Sequence, residues 1–465
     1  MIKQTIVSSL LLASGMGSLA MAQSTITGEL VFTLEDLGGA EMLAVSADGT
    51  FTVVAGASTV TLVTIEDEEL VVEGTYELAE DFFPENSTEA EFTGLAISPD
   101  GSFVLAAVKD SDEANTETFD EVNGKVLALS LPDMEVLGQV MVGRGPDSVA
   151  IAPNGEFAVV ANEDEEDEED LTNLENRPGT VSIIDLRNGT ESMSQLEIPI
   201  PPEGIPFFSH DPQPETVKVS YDNSFIVATL QENNAVARID VPAELPSPLQ
   251  VDAFTVTNFD VGVRTGSGLI EDKVGEGNCI ASAYDLSLRQ EFTSAREPDG
   301  IALTPDGQYF VTADEDNLTA ANEQEFEGEP LSPHGTRSIS VFDAATGEFL
   351  GDSGDSIEEA VIEAQLPMRC DSKGPEPEVV SVGMIGDQVL AFVAIERSDA
   401  ITIHDITDPT DVQLLDLVVL NPDSVASDEA AALEPEGIEF IPERNLVVVS
   451  NPENSSMSLV RVNVE

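Results

Sequence analysis

One phrase recurs seven times along the chain, and it restricts the fold more than any other feature. A polar or acidic start leads into a short alternating strand, a Pro/Asp/Asn-Gly turn, and a second strand rich in Val and Ala. It runs as Ala40-Glu-Met-Leu-Ala-Val-Ser-Ala-Asp-Gly49, then Gly94-Leu-Ala-Ile-Ser-Pro-Asp-Gly101, then Pro146-Asp-Ser-Val-Ala-Ile-Ala-Pro-Asn-Gly155. It returns as Pro214-Glu-Thr-Val-Lys-Val-Ser-Tyr-Asp-Asn223 and Pro298-Asp-Gly-Ile-Ala-Leu-Thr-Pro-Asp-Gly307. The last two copies are Pro377-Glu-Val-Val-Ser-Val-Gly-Met-Ile-Gly386 and Pro435-Glu-Gly-Ile-Glu-Phe-Ile-Pro-Glu443. Third strands ending in Asp follow several of them: Val181–Asp185, Val236–Asp240, Ile339–Asp343 and Ile401–Asp405. Short antiparallel strands in seven units predict an all-β, seven-bladed β-propeller, because each unit alone cannot bury both faces of its sheet. Copies are unevenly spaced, 84 residues from Glu215 to Asp299 but 58 from Glu378 to Glu436, so insertions are expected between fixed blades. The last unit runs out of chain after its third strand. Ile26–Thr33 is expected to supply the fourth and close the ring, hiding two open edges.

The N-terminus reads as a secretory signal peptide: Lys3, an apolar stretch through Leu10, Leu11 and Leu12, and the small-x-small site Ala20-Met21-Ala22. Cleavage after Ala22 would leave residues 23–465 as one propeller domain, secreted or periplasmic, with no membrane span. Cys279 and Cys370 are the only cysteines; in an oxidising compartment they can form a disulfide, or stand as two free structural thiols.

Charge narrows the function. The chain has 89 acidic against 18 basic residues, a net charge of −71. Nucleic-acid binding through phosphate neutralisation needs a basic face and is excluded. Divalent cations are the partners this composition suits, although adaptation to salt would also produce it. Aromatics make up 5% and Trp is absent, which argues against sugar stacking. Three His, at 210, 334 and 404, stand apart in sequence, and no Ser-His-Asp order, P-loop or dinucleotide fingerprint is visible.

Aligning the repeats sorts the acids. Glu41, Asp147, Glu215, Asp299, Glu378 and Glu436 stand immediately before the innermost strand in six of the seven units, with Thr93 in the remaining one. A second set follows the second strand: Glu163, Glu232, Glu315 and the pair Glu396-Arg397. In an up-and-down blade, the start of strand one and the end of strand two share a face. Both sets therefore crowd one channel mouth. Carboxylates there repel and raise one another's pKa values unless a hard cation such as Ca2+ is shared, or each caps a local turn. The acidic run from Glu163 to Asp170 lacks the ligand spacing of an EF-hand and reads as a solvated loop. Four basic residues fall near the same face: Arg144, Arg296, Lys373 and Arg397. They can hold a small anionic ligand, or simply pair with the acids.

Several phrases resemble the choice-of-anchor I family, which includes mesenchyme-specific cell-surface glycoproteins. They are Gly145–Gly155 with Val160-Ala-Asn-Glu163, Gly179–Leu186, Thr229–Ala235, Arg296-Glu-Pro-Asp-Gly300, Gly335-Thr-Arg-Ser338, Asp352-Ser-Gly-Asp355, Lys373–Glu378 with Ile395-Glu-Arg397, and Pro435-Glu-Gly437. Two departures stand out: Ala161-Asn-Glu-Asp-Glu165 replaces the usual Ala-Asn-Glu-Gly-Glu, and no sorting anchor follows the final strand. The resemblance implies an extracellular binding or matrix module. Some relatives carry alkaline-phosphatase labels, so a metal-dependent phosphoesterase is the alternative, with a calcium-dependent lactonase-like hydrolase as a third reading.

Overall fold

A computed structural model describes residues 25–79, 90–110, 123–163, 174, 177–269, 289–315, 325–326, 329–332, 334–369, 374–427 and 431–465. Seven four-stranded antiparallel sheets form a propeller. Their inner strands are Met42–Val45, Ala90–Ile97, Pro146–Ile151, Pro214–Val219, Pro298–Leu303, Pro377–Ile385 and Gly437–Ile441, here numbered blades one to seven. In blade seven, Gly437–Ile441 is followed by Leu446–Asn451 and Ser456–Val464, and Ile26–Leu34 adds the outer strand, with Ile26 opposite Val464 and Leu34 opposite Met457. The ring is thus closed as the sequence led us to expect. The closing strand packs tightly on blade six: Gly28 N–H donates to Asp416 Oδ2 at 2.8 Å, and a Cβ at Gly28 would come within 2.3 Å of Val418 Cγ2.

The core lies between blades. Middle strands such as Phe157–Asn162 and Phe225–Leu230 are buried along their whole length, because each face meets a neighbouring blade. Val159, Ala161, Val181 and Ile183 of blade three pack with Ile226, Ala228, Ala237 and Ile239 of blade four, and similar layers recur round the ring. Polar turns tie strand one to strand two. Ser98 Oγ donates to Asp100 Oδ1 at 2.8 Å, the backbone N–H groups of Ser102 and Phe103 donate to Ser98 Oγ, and Gly101 takes φ +70°. Asn223 fills the glycine position in blade four at φ +62°, a conformation Asn tolerates better than most residues.

The uneven spacing has a structural cause. A hairpin of Val263–Gly268 with Gln290–Ala295 stands between blades four and five. A nine-residue helix, Ser356–Ala364, follows the outer strand of blade five. The helix was not foreseen, since no helical periodicity stood out in so short a segment. Its Ile357, Val361 and Ile362 enter the core shared by blades five and six. Cys279, Cys370 and Lys373, together with all but Glu163 of the acidic run, lie outside the described residues.

Candidate functional site

A small backbone irregularity aims the first set of acids. In blades three to six the ladder shifts register just after the leading proline, between Pro146 and Val149, Pro214 and Val217, Pro298 and Ile301, and Pro377 and Val380. Proline has no N–H to give the ladder, and a bulge frees the next residue from strict alternation. That next residue is the acid. Asp147, Glu215, Asp299 and Glu378 line the central channel, joined by Glu41 and Glu436, around a cavity of about 620 Å³.

Blade two, which carries Thr93 at this position, is not an exception in charge. Its inner strand begins earlier, and Glu91, two residues before Thr93, lines the same cavity beside Lys109. Period-two alternation was the signal that could have found Glu91.

The second set meets the first across blade seams. Carboxylate oxygens of Glu163, Glu215 and Glu232 lie within 4.8 Å of one another, joining blades three and four. Those of Asp299, Glu315 and Glu378 do the same between blades five and six, and Glu315, Glu376 and Glu396 form a third group. Glu163, Glu215, Glu232 and Glu315 are each less than a tenth exposed. Gln231 Nε2 donates to Glu315 Oε2 at 2.8 Å, linking blade four to blade five.

Electrostatics follow from this crowding. Burial, then Glu232, Asp299, Glu163 and Asp147, push the Glu215 carboxyl well above the usual range. Burial, then Glu315, Asp299 and Glu396, do the same to Glu378, which hydrogen-bonds Asp299. Burial and Glu41 raise Glu436 to about 7, with Arg397 opposing. Burial and Glu376 raise Glu396 to about 10, again against Arg397. Glu41 is raised by burial and Glu91, and Lys109 offsets part of it.

The basic residues are placed differently from one another. Arg296 turns into blade five: its Nη1 donates to Ser340 Oγ at 2.5 Å and pairs with Asp314 at 3.4 Å, and Nη2 pairs with Asp352 at 3.0 Å. Its guanidinium lies 4.4 Å from the centre of the Phe349 ring. Arg397 joins three glutamates, with Nε 3.1 Å from Glu376, Nη2 2.7 Å from Glu396, and Nη1 against Glu434. Both show the ion pairing that the sequence left open as an alternative. Arg144 is half-buried and is not among the cavity-lining residues.

Glu376 and Glu434 went unnoticed in the sequence. They share with Glu297 the position before the Pro-acid pair, and all three take left-handed φ, +43° at Glu297, +57° at Glu376 and +47° at Glu434. A residue before proline is normally pushed to extended backbone, so these three are held against preference. Of the histidines, His404 is sealed inside blade six, bonds Thr402 Oγ1 at 2.9 Å, and is pushed down to about 3 by burial. It is therefore a neutral imidazole packed within the blade.

A choice-of-anchor I domain pattern matches residues 41–247 and 319–409. No curated protein matches the chain in sequence. Among solved structures, it is similar to the beta-propeller domain of Cps50 (Swd1) from Myceliophteria thermophila, at 12% identity and TM-score 0.53, covering 94% of this chain and all of that one. It is also similar to hydrazine synthase from Kuenenia stuttgartiensis, at 17% identity and TM-score 0.52, covering 92% of this chain and 97% of the other. Likenesses this distant speak to fold alone.

Proposed function

The chain belongs to the choice-of-anchor I family, and on that premise we propose that it is an extracellular-type propeller module whose channel mouth binds divalent cations, Ca2+ foremost. The observation that carries this is the setting of Glu215. It is buried, and the charged groups that act on it most strongly are four further carboxylates. A buried anion normally has a cation beside it, because the cost of desolvation is otherwise not offset. Ca2+ takes six to eight oxygen ligands in adaptable geometry, which suits clusters of carboxylates beside a wet channel. Three histidines and two cysteines in 465 residues offer little to softer metals.

Export from the cell, with residues 1–22 as the leader, agrees with the family. Among the described residues no helix is long and apolar enough to cross a membrane. A matrix component or a small anionic molecule could then bind through the held cation. Binding is favoured over hydrolysis by Arg296, one of the basic residues that could have held an anionic ester, which is engaged by Asp314, Asp352 and Ser340 instead.

Calcium should raise the unfolding midpoint at constant ionic strength, by an amount equivalent to about 2.7 kcal/mol at a hundredfold excess over Kd. Differential scanning calorimetry with sodium chloride replacing calcium chloride is the control. An identical rise in both salts would mean that screening alone is at work, and the cation reading would fall.

A further inference from the structure

We infer that a cation binds at the seam between blades five and six, held by Asp299, Glu315 and Glu378, and not at the centre of the ring. This rests on the cation reading above and gives it a location. Three carboxylates whose oxygens lie within 4.8 Å of one another are an acidic cluster and no more. A second observation makes this one a site. Glu378 hydrogen-bonds Asp299, yet its Oε2 is closed off from solvent and accepts no hydrogen bond. A carboxylate oxygen taken out of water without a donor is what a hard cation would coordinate.

The surroundings agree. Glu315 is oriented by Gln231, whose amide donates to Oε2 at 2.8 Å, so one wall of the cluster is fixed beforehand. Asp299 and Glu378 also line the channel cavity, which gives an ion both an entry path and water to complete its shell. Three carboxylates against a doubly charged ion leave one net negative charge, a large reduction in repulsion. The adjoining group of Glu376 and Glu396 is served by the protein itself, since Arg397 pairs with both. Elsewhere on the ring, Lys109 offsets part of the charge around Glu41. Glu41 holds the same repeat position as Glu378, so it separates a seam site from a shared central ion.

The test is calcium titration by isothermal calorimetry at fixed ionic strength, on the full secreted chain and on Glu378→Gln, Glu315→Gln and Glu41→Gln. A seam site predicts at least tenfold weaker binding for Glu378→Gln and for Glu315→Gln, and a change under threefold for Glu41→Gln. Each substitution removes a like charge, so folding should survive, and circular dichroism melts verify it. Should either seam variant fail to fold, Asp299→Asn takes its place with the same expected loss. Equal weakening in Glu41→Gln and Glu378→Gln would place the ion at the ring centre and overturn the seam. Unchanged affinity in both seam variants, with the parent still binding, would overturn it as well. No calcium heat in the parent would instead overturn the cation reading itself.

Discussion

Two buried glutamates show how differently this chain treats negative charge. Glu358, on the helix beside blade five, has its own guanidinium. Arg337 Nη1 lies 2.7 Å from Glu358 Oε2, Leu269 N–H donates to Oε1 at 2.8 Å, and Arg337 donates again to the carbonyls of Leu269 at 3.1 Å and His334 at 2.9 Å. Glu215, at the channel mouth, faces carboxylates. The chain has 18 basic residues, and Arg264, Arg289, Arg296 and Arg337 are all engaged around the hairpin, helix and outer strand of blade five. Cations are therefore concentrated where inserted segments must be held, and sparse where the blades converge. The first region is stapled by its own residues; in the second, Arg397 and Lys109 offset only part of the charge.

The contrast can be broken most sharply at Arg337. Arg337→Met should destabilise the fold by about 3–5 kcal/mol, because Glu358 would remain buried without its partner. Urea unfolding followed by circular dichroism measures this, and added calcium should restore little, since neither Arg337 nor Glu358 lines the cavity of the mouth acids.

A pH series sharpens the other half. Glu436 is raised to about 7 in the folded protein from an ordinary value of 4.5. Below 4.5 both states are protonated. Between 4.5 and about 7 the unfolded chain holds fewer protons than the folded one, so stability falls as pH rises. That loss is on the order of 3 kcal/mol for this group, and Glu396, raised to about 10, continues it at higher pH. In calcium-free buffer the melting temperature should drop from pH 5 to pH 8, and Glu436→Gln should flatten the fall. A parent protein whose melting temperature rises over this range would contradict the crowding argument.

The smallest effect expected is at Glu215 itself. Glu215→Gln should stabilise the calcium-free protein by about 1 kcal/mol, through relief of repulsion and of buried charge. In saturating calcium its advantage over the parent should vanish or reverse. Paired thermal melts with and without chelator read both signs, and a variant stabilised equally in the two conditions would remove Glu215 from any cation site.

How far the sequence could be read varies from residue to residue. The six acids before the inner strands were recognisable because the repeat aligns them, and all six line one cavity. Glu163, Glu232 and Glu315 were placed on the same face for the same reason, and they meet the first set as expected. Glu91 was passed over because its strand starts earlier than its counterparts, shifting it out of the alignment. Glu376 and Glu434 were missed because the residue before proline carries no expectation of pointing anywhere useful, and their left-handed φ appears only in three dimensions. The neighbours Glu297, Pro298 and Asp299 left Arg296 open to an anion or to pairing with acids, and its partners Asp314, Ser340 and Asp352, up to 56 residues further on, show pairing.

The sequence by itself determined the number of blades, the strand order within them and the closing role of Ile26–Thr33. Those follow from local alternation, turn residues and repetition, which are legible at short range. Tertiary structure alone decided which acids become neighbours and which of them receive a cation from the protein. Seams such as Glu163–Glu215–Glu232 and Asp299–Glu315–Glu378 join residues from different blades. Their distances depend on blade twist and on the bulge after each proline. A side chain's charge is written in the sequence, but its energy is set by what stands within a few ångströms of it. In a ring of seven similar units, that neighbourhood is fixed only when the ring closes.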